Sequence, residues 1–268
     1  MVDYDEVDFR REIVFERRTQ IMSLLAAKSF YRLTELADLL NTSLSSVRRE
    51  IDVLQQEGVV QRTHGGVIFL GATDSLPLFR ERKDHMAKEK QLIGKRAADL
   101  VEDGDTVIID GGTTPYQVAM HLKTKDIQVV TNSLPVANLF ADSRRVQLLS
   151  TGGTLYPGTG VFLGPYAAAM LKNVRAQKAF IGVAGITEEG LHNSNELVVE
   201  TERHILDSAK KVYVVADHTK FERNAVAFLC DFSKIAGIVT DRPSEETKRV
   251  MQTLKHPTIE WIFASAKP

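Results

Sequence analysis

The sequence predicts an α/β protein with two domains: a small winged helix-turn-helix domain, then a larger domain built on a mostly parallel sheet. Three observations predict this class. The chain has 268 residues, whereas one domain usually takes roughly 100–200. The first 70 residues combine helical patterns with strands around a glycine turn. From residue 105 onward, apolar β-rich segments alternate with helical ones, which is typical of a parallel sheet with right-handed crossovers.

Composition excludes several classes of protein. The chain is 43% hydrophobic and 26% charged, which argues against fibrous and wholly disordered proteins. Its apolar runs are far shorter than the ~18 residues that span a bilayer. The acidic N-terminus has no apolar leader segment, so we expect a cytoplasmic protein with residues 1–9 as a disordered tail. The net charge is −1, so any nucleic-acid binding must be local.

Three helices and a hairpin are predicted in residues 1–70. The first helix covers residues 10–27, the second begins with Thr34 as its N-cap, and the third begins with Ser43 as its N-cap and ends at Gly58. The two strands of the hairpin flank a glycine pair at 65–66. This order of elements is that of a winged helix-turn-helix, whose third helix enters the major groove of DNA.

The exposed face of the third helix carries the groups that DNA binding requires. Ser45 and Ser46 can bind phosphate or base edges, and the adjacent Arg48 and Arg49 can reach a guanine edge and a phosphate. The alternative is a solvated face on a small helical bundle. The position of the arginine pair in this helix order favours DNA.

A linker over residues 71–85 and a second domain over 86–268 are predicted next. The strands carry almost no polar alternation, so they are expected to be buried on both faces of the sheet. We predict strands at 106–110, 127–131, 146–150, 178–183, 211–216, 235–240 and 258–263. We predict helices near 86–102, 115–122, 133–141, 164–173, 195–209 and 244–254.

The residues that follow these strands are the candidate ligand site, because ligands of open parallel sheets lie at the carboxyl ends of the strands. After the first strand come Asp110, Gly111, Gly112, Thr113 and Thr114. Glycines allow close approach of a ligand, and a helix N-terminus, here with Thr114 as N-cap, suits a phosphate or carboxylate. The sequence is neither GxGxxG nor a P-loop. An ordinary tight turn is the alternative for this loop taken alone.

Three further loops are expected at the same edge. They contribute Thr131 and Asn132, then Gly152 and Gly153, and finally Asp217 and Lys220. Lys220 can provide a point charge for phosphate. Each loop alone fits turn chemistry, but together they favour a small, anionic, polyhydroxylated ligand.

No catalytic set is recognisable. The seven histidines lack metal-ligand spacing, Gly-x-Ser-x-Gly is absent, and Cys230 is expected to be a buried apolar residue. We therefore predict a protein that is not an enzyme and has neither a metal nor a cofactor.

These motifs resemble the DeoR family of bacterial sugar-responsive transcriptional regulators over nearly the whole chain from about residue 16. In the N-terminal part the similar motifs are Glu16-Arg17-Arg18, Glu35-Leu36-Ala37-Asp38-Leu39-Leu40, Ser45-Ser46-Val47-Arg48-Arg49-Glu50-Ile51 and Arg62-Thr63-His64-Gly65-Gly66. The family usually has Thr-Ile-Arg-Arg-Asp in the third helix, so Ser46, Val47 and Glu50 depart from it. In the C-terminal part the similar motifs are Asp110-Gly111-Gly112-Thr113-Thr114, Thr131-Asn132, Gly152-Gly153, Asp217-His218-Thr219-Lys220-Phe221 and Thr240-Asp241.

The resemblance implies a DNA-binding repressor of a carbohydrate-utilisation operon that binds operator DNA and a phosphorylated sugar or polyol as a homodimer or homotetramer. It implies an effector domain with the fold of ribose-5-phosphate isomerases and CoA transferases. Asp110 and Asn132 suit hydroxyl groups, whereas Gly112, Thr113, Thr114 and Lys220 suit phosphate. The candidate DNA-binding residues are Thr34, Ser43, Ser45, Ser46, Arg48, Arg49, Arg62 and His64. The candidate effector-binding residues are Asp110, Gly111, Gly112, Thr113, Thr114, Thr131, Asn132, Gly152, Gly153, Asp217 and Lys220.

Two alternatives from other functional classes stay open at this point. One is a sugar-phosphate isomerase or transferase with an appended winged helix, which the lack of an acid/base pair disfavours. The other is a winged helix that binds protein rather than DNA, which the near-neutral charge of the first 70 residues allows.

Overall fold

A computed structural model of the chain describes residues 14, 16–25, 30–56, 59–63, 66–69, 78–156, 158–253 and 259–264. The chain divides into two compact units, Met1–Pro77 and Leu78–Pro268. The described residues contain no helix that is long and apolar enough to cross a membrane. The expected tail at 1–9 lies outside the described residues.

The first unit is a helical domain with a small antiparallel sheet. Residues 16–25 are helical (α1). They are followed by β1 (Phe30–Tyr31), α2 (Leu33–Leu39), α3 (Leu44–Gln56), β2 (Val60–Thr63) and β3 (Gly66–Phe69), with the sheet order β1-β3-β2. The predicted apolar stripe of α3 forms its core face, since Val47, Ile51 and Leu54 are buried. This confirms the winged helix-turn-helix order, with β2 and β3 as the hairpin.

The start of α2 differs from the prediction. Thr34 is not the N-cap, because the helix begins at Leu33 and Arg32 is the capping residue. The backbone N–H of Arg32 donates to a carboxylate oxygen of Glu35 at 3.3 Å. Glu35 therefore supplies the capping interaction from the third helical position, and Thr34 is an exposed residue of the first turn.

The second unit is built on a seven-stranded parallel sheet, as predicted. Every neighbouring pair of its strands is parallel. Its order is β15-β14-β12-β9-β4-β5-β6. The strands are β4 (Thr106–Ile109), β5 (Ile127–Thr131), β6 (Val146–Ser150), β9 (Ala176–Ile181), β12 (Ala209–Val215), β14 (Gly237–Thr240) and β15 (Glu260–Phe263).

Helices cover both faces of this sheet. Ile108 packs into one hydrophobic cluster, whereas its neighbours Val107 and Ile109 pack into another, and all three are fully buried. The central strand β4 is therefore buried on both faces as predicted, whereas the edge strand β6 is mostly exposed and does not fit the prediction. The helices are α4 (Phe79–Asp84), α5 (Ala87–Ala98), α6 (Thr113–His121), α7 (Leu134–Phe140), α8 (Pro165–Lys172), α9 (Glu196–Ser208) and α10 (Glu245–Thr253).

Short antiparallel strands were not predicted. They form a hairpin of β7 (Thr154–Tyr156) and β8 (Val161–Leu163), and a sheet of β10 (Gly185–Thr187), β11 (Gly190–Asn193) and β13 (Ala227–Cys230). Elements of three or four residues are too short to show a hydrophobic period.

Two boundaries in the second unit also differ from the sequence expectations. The stretch expected to be a linker, 71–85, contains helix α4, which begins where the N–H of Phe79 bonds to the carbonyl of Gly158 at 2.8 Å. Thr114 is not the N-cap of α6, because the N–H of Tyr116 already bonds to the carbonyl of Gly112 at 3.0 Å. That i to i−4 bond makes Gly112 the capping residue.

Candidate functional sites

Helix α3 presents hydroxyl groups at its N-terminus. Ser43 precedes the helix and accepts a hydrogen bond from the N–H of Ser46 at 3.2 Å, as predicted for an N-cap. Its hydroxyl also lies 2.9 Å from each of the hydroxyls of Ser45 and Ser46. The three hydroxyls therefore form one exposed group at the end of α3 where the backbone N–H groups attract phosphate.

The predicted arginine pair is exposed on the same helix. Arg48 and Arg49 are both exposed, and Arg49 makes a 3.4 Å bond to the carbonyl of Ser45. Arg62, on β2, is paired with Asp52 of α3, so it links the hairpin to the helix. His64 lies outside the described residues. Arg48 and Arg49 are thus available to a duplex that contacts the exposed face of α3.

Glu50 is a structural residue rather than part of this exposed face. It is 5% exposed, and its carboxylate lies 2.7 Å from Arg18 and 3.5 Å from Arg17 of α1. The ion pairs join α1 to α3 inside the unit. Its departure from the family pattern is therefore accommodated in the core of the domain.

In the second unit Asp110 is the centre of the candidate effector site. It follows β4 at the carboxyl edge of the sheet and is 4% exposed. Its carboxylate accepts from the N–H of Gly182 at 3.3 Å and from the amide of Asn132 at 3.4 Å. Burial raises the pKa of Asp110, and these donors and Arg82 oppose the shift. The structure thus brings Asp110 and Asn132 together, as the strand order predicts.

The two glycines after Asp110 are needed for packing. A Cβ on Gly111 would lie 2.4 Å from a methyl carbon of Val161, and one on Gly112 would lie 2.8 Å from Cδ of Pro115. The hairpin residue Val161 therefore packs directly over this loop. Thr113 and Thr114 follow as the first, buried turn of α6.

Three of the predicted residues have structural roles. The hydroxyl of Thr131 donates to the carbonyl of Ile109 at 2.7 Å and accepts from the N–H of Ser133 at 3.0 Å. Gly152 and Gly153 have positive φ, and a Cβ on Gly153 would lie 2.7 Å from the carbonyl oxygen of Leu163. Thr131 therefore holds the β4–β5 edge, and the glycines shape the turn into β7. Within the described part of the chain, none of these three residues forms a hydrogen bond with the carboxylate of Asp110.

Asp217 and Lys220 form the second part of the site. Asp217 is fully buried and caps the short 3₁₀ helix His218–Lys220 by accepting from the N–H of Thr219 at 3.1 Å. Burial would raise the pKa of Asp217, but Lys220, the Thr219 hydroxyl and Lys90 lower it below its usual value. Asp217 is therefore a buried carboxylate among cations, and Lys220 lies beside it.

Several basic side chains near Asp217 were missed by sequence reasoning. Burial lowers the pKa of Lys90 to about 7, with Asp217 opposing the shift and Lys220 and Arg82 adding to it. Burial likewise lowers the pKa of Lys220 and of Arg223, and brings that of His85 to about 4. We call the four basic side chains around Asp217 the cationic cluster; they are Arg82, Lys90, Lys220 and Arg223.

The cationic cluster holds four bases with little exposure to solvent, since Lys90 is buried and the other three members are half-buried. Burial disfavours the charged form of a base, and Asp217 does not offset that effect for the lysines or Arg223. An anion in the cluster would compensate these charges. Arg82 also interacts with Asp110, so the cluster adjoins the Asp110 end of the same site.

One sequence signal could have identified Lys90. It shares the buried face of α5 with Ile93, Gly94 and Ala97, at the spacing of a core stripe. A lysine in such a stripe is unusual unless it has a partner. Arg82, by contrast, lies within the stretch that was expected to be a linker, where no periodicity marks it.

A third acid joins Asp110. Glu202, on α9, is 1% exposed and accepts from the amide of Asn193 at 2.6 Å. Burial and the charge of Asp110 raise its pKa well above the usual value. Among the described residues no three His, Cys, Asp or Glu side chains are grouped to hold a metal ion.

Comparison with known proteins identifies the family. Residues 17–73 match the DeoR-like helix-turn-helix domain, and residues 85–242 match the DeoR C terminal sensor domain. The chain belongs to the DeoR family. It is therefore a DNA-binding transcriptional regulator with a sensor domain, which confirms the prediction of a regulator rather than an enzyme.

Individual relatives agree with this assignment. The chain is similar to the lactose phosphotransferase system repressor of Lactococcus lactis subsp. lactis, with 35% identity over 77% of this chain and 83% of that protein. It is also similar to the glycerol-3-phosphate regulon repressor of Escherichia coli (strain K12), with 29% identity over 89% and 94%. A solved ribose 5 phosphate isomerase A from Neisseria gonorrhoeae has 15% identity and a TM-score of 0.36, over 52% of this chain and 54% of that one.

Proposed function

We propose that this regulator represses a carbohydrate-utilisation operon and that a phosphorylated sugar or polyol modulates its affinity for operator DNA. The observation that carries the proposal is the cationic cluster around Asp217, next to the hydroxyl-binding candidates Asp110 and Asn132. Cations at one end and hydrogen-bonding groups at the other suit a ligand with a phosphate and hydroxyls. The names of the two relatives, a lactose phosphotransferase system repressor and a glycerol-3-phosphate regulon repressor, support the same class of regulon.

The proposed division of labour follows the two units. Residues up to about Pro77 bind DNA, and the unit from Leu78 onward senses the effector. In the DNA-binding unit, Arg48 and Arg49 contact bases and phosphates. The hydroxyls of Thr34, Ser43, Ser45 and Ser46, together with Arg62 and His64, contact the backbone on either side of α3.

In the sensor unit, the proposed phosphate ligands are Lys220 and the other members of the cationic cluster, together with the first turn of α6, where Gly111, Gly112, Thr113 and Thr114 lie. Asp110, Asn132 and Asp217 accept from hydroxyls, whereas Thr131, Gly152 and Gly153 shape the loops around them. We also propose that the protein is cytoplasmic. We propose a homodimer or homotetramer, because two paired DNA-binding units can bind two half-sites of a symmetric operator.

Regulation requires the effector to distinguish two states of the protein. A ligand that binds equally well to the DNA-bound and free states does not shift the equilibrium between them. Occupation of the cationic cluster must therefore favour one arrangement of the DNA-binding units over the other.

The test is a fluorescence-anisotropy titration of the full chain against its own upstream DNA, with scrambled DNA of equal length as the control. Each titration is repeated with a panel of sugar and polyol phosphates. We expect specific DNA binding that weakens steeply as the salt concentration increases, because phosphate contacts release counterions. We also expect at least one phosphorylated compound to change the affinity for the upstream DNA. Equal binding to scrambled DNA, or no response to any phosphorylated compound, would contradict the proposal.

A further inference from the structure

Buried oxygen acceptors lack hydrogen-bond donors at the Asp110 end of the site. Oδ1 of Asn132 and Oε2 of Glu202 have no hydrogen-bond partner among the described residues, and neither does the hydroxyl of Ser194. Asn132 and Glu202 are each 1% exposed. Because buried polar atoms without partners are rare and cost free energy, this end of the site is suited to a ligand that supplies donors.

Independent contacts bring these groups to one place. The amide of Asn132 donates to Asp110, which also accepts from the N–H of Gly182. Two residues further along, the N–H of Ala184 bonds to the carbonyl of His192 at 3.0 Å. His192 directly precedes Asn193, whose amide donates to Glu202. Thus Asn193, at the end of β11, links Glu202 of α9 to the loop that contacts Asp110.

The charges at this end are opposite to those of the cationic cluster. Burial and the charge of Asp110 raise the pKa of Glu202 well above its usual value, because two nearby carboxyls disfavour each other's charged form. A ligand hydroxyl can donate to either carboxyl, whereas a second anionic group would be desolvated against a like charge.

We infer that Glu202 and Asp110 together bind the neutral, hydroxyl-bearing end of the effector and exclude a second anionic group there. The effector class is then a sugar or polyol monophosphate, rather than a sugar-acid phosphate or a bisphosphate. Glu202 determines this specificity together with Asp110. The inference rests on the proposed function, because the phosphate of the same ligand occupies the cationic cluster.

Matched pairs of ligands test this inference on the full chain. Glucitol 6-phosphate and 6-phosphogluconate differ only at the carbon far from the phosphate, which carries a hydroxyl in the first and a carboxylate in the second. Glycerol 3-phosphate and 3-phosphoglycerate form a shorter pair of the same kind. Isothermal titration calorimetry at neutral pH gives each Kd, and inorganic phosphate measures the phosphate end alone.

We expect the alcohol of at least one pair to bind about tenfold or more tightly than its acid. Glu202→Leu keeps the volume and removes the acceptors, so it should weaken the alcohol about tenfold, the value of a hydrogen bond to a charged or buried group. Inorganic phosphate should bind unchanged. Glu200→Gln, an exposed change on the same helix, is the matched control.

A second variant keeps the test valid if Glu202→Leu fails to fold. The double change Asp110→Asn with Glu202→Gln preserves shape and removes the charge, so the preference for the alcohol should fall to less than about threefold. Equal or tighter binding of the acids by the natural chain would overturn the inference. If inorganic phosphate and all the sugar phosphates fail to bind, the proposed function fails as well.

Discussion

The two units of this regulator hold their functional side chains in opposite ways. In the DNA-binding unit, Arg48 and Arg49 are exposed, and the buried charge of Glu50 is paired with two arginines. In the sensor unit, the candidate acids and Asn132 are buried, and Asn132, Glu202 and Asp217 each have an oxygen without a partner among the described residues. In the described part of the first unit no buried side-chain oxygen or nitrogen lacks a hydrogen-bond partner, whereas the second unit has unfilled hydrogen-bonding capacity.

The difference reflects the size of the two ligands. A duplex is read from outside by side chains that reach its grooves, so the core of the reading domain can satisfy all its own charges. A sugar phosphate is small enough to be enclosed, so the protein can leave buried groups for the ligand to satisfy. A buried charged group therefore stabilises the fold in the first unit, whereas in the second it is available to bind the ligand.

Lys90→Met should produce the largest effect of the substitutions that test this difference between the units. It removes one buried cation while retaining the apolar stem, so affinity for the modulating sugar phosphate should fall about thirtyfold or more, since removal of a buried charge partner costs roughly 2 kcal/mol or more. Operator affinity without effector should stay unchanged. Calorimetry and anisotropy measure the two quantities. Lys88→Met, exposed on the same helix, is the control, and an unaltered effector affinity in Lys90→Met would remove Lys90 from the site.

Glu50→Ala should act on stability rather than on DNA recognition. It leaves two arginines of α1 without their buried partner, which should lower the free energy of unfolding of the first unit by about 2 kcal/mol. Thermal unfolding followed by circular dichroism measures this change, with the exposed Asp38→Ala as the control. If the variant kept full stability but lost operator affinity, Glu50 would belong to the DNA-contacting surface instead.

Arg49→Ala and Arg48→Ala should each weaken operator binding about tenfold and leave effector binding unchanged. A lost base or phosphate contact costs roughly 1–3 kcal/mol. Anisotropy measures the affinities for upstream and scrambled DNA. Loss of a base contact should change the ratio of these two affinities, whereas loss of a phosphate contact should change the salt dependence of binding. Arg144→Ala, exposed in the sensor unit, serves as the control. Wild-type affinity in both arginine variants would exclude this face of α3 as the DNA contact.

The smallest expected effect concerns Glu202 and pH. A carboxyl whose pKa is raised on folding contributes stability that is present below its unfolded pKa of about 4.3 and is lost as pH rises through the folded value. Glu202→Gln has no carboxyl that can lose stability in this way. The difference between its Tm and that of the natural chain should therefore increase by a few degrees from acidic to neutral pH. Differential scanning calorimetry of both proteins measures the difference, and a constant offset at every pH would show that Glu202 does not titrate on folding.

The fold was largely predictable from sequence, because the seven sheet strands are short, mostly apolar runs and the central strand β4 is buried on both faces. The site was predictable only where its residues directly follow strands, as Asp110, Asn132 and Asp217 do. Arg82 and Lys90 precede the first strand of the sheet, and Glu202 lies within a helix. The apolar stripe of α5 marks Lys90 as unusual, but only three-dimensional packing brings these side chains to the sheet edge, so no local pattern shows that they are partners of the strand-end loops.

A crystal structure of the full chain with its tightest-binding polyol phosphate tests the central claim most directly. We predict the phosphate in the cationic cluster, in contact with Lys220 and Lys90, and a hydroxyl of the opposite end within hydrogen-bond distance of Asp110 or Glu202. A ligand bound in the reverse orientation, or outside the carboxyl edge of the sheet, would contradict the account.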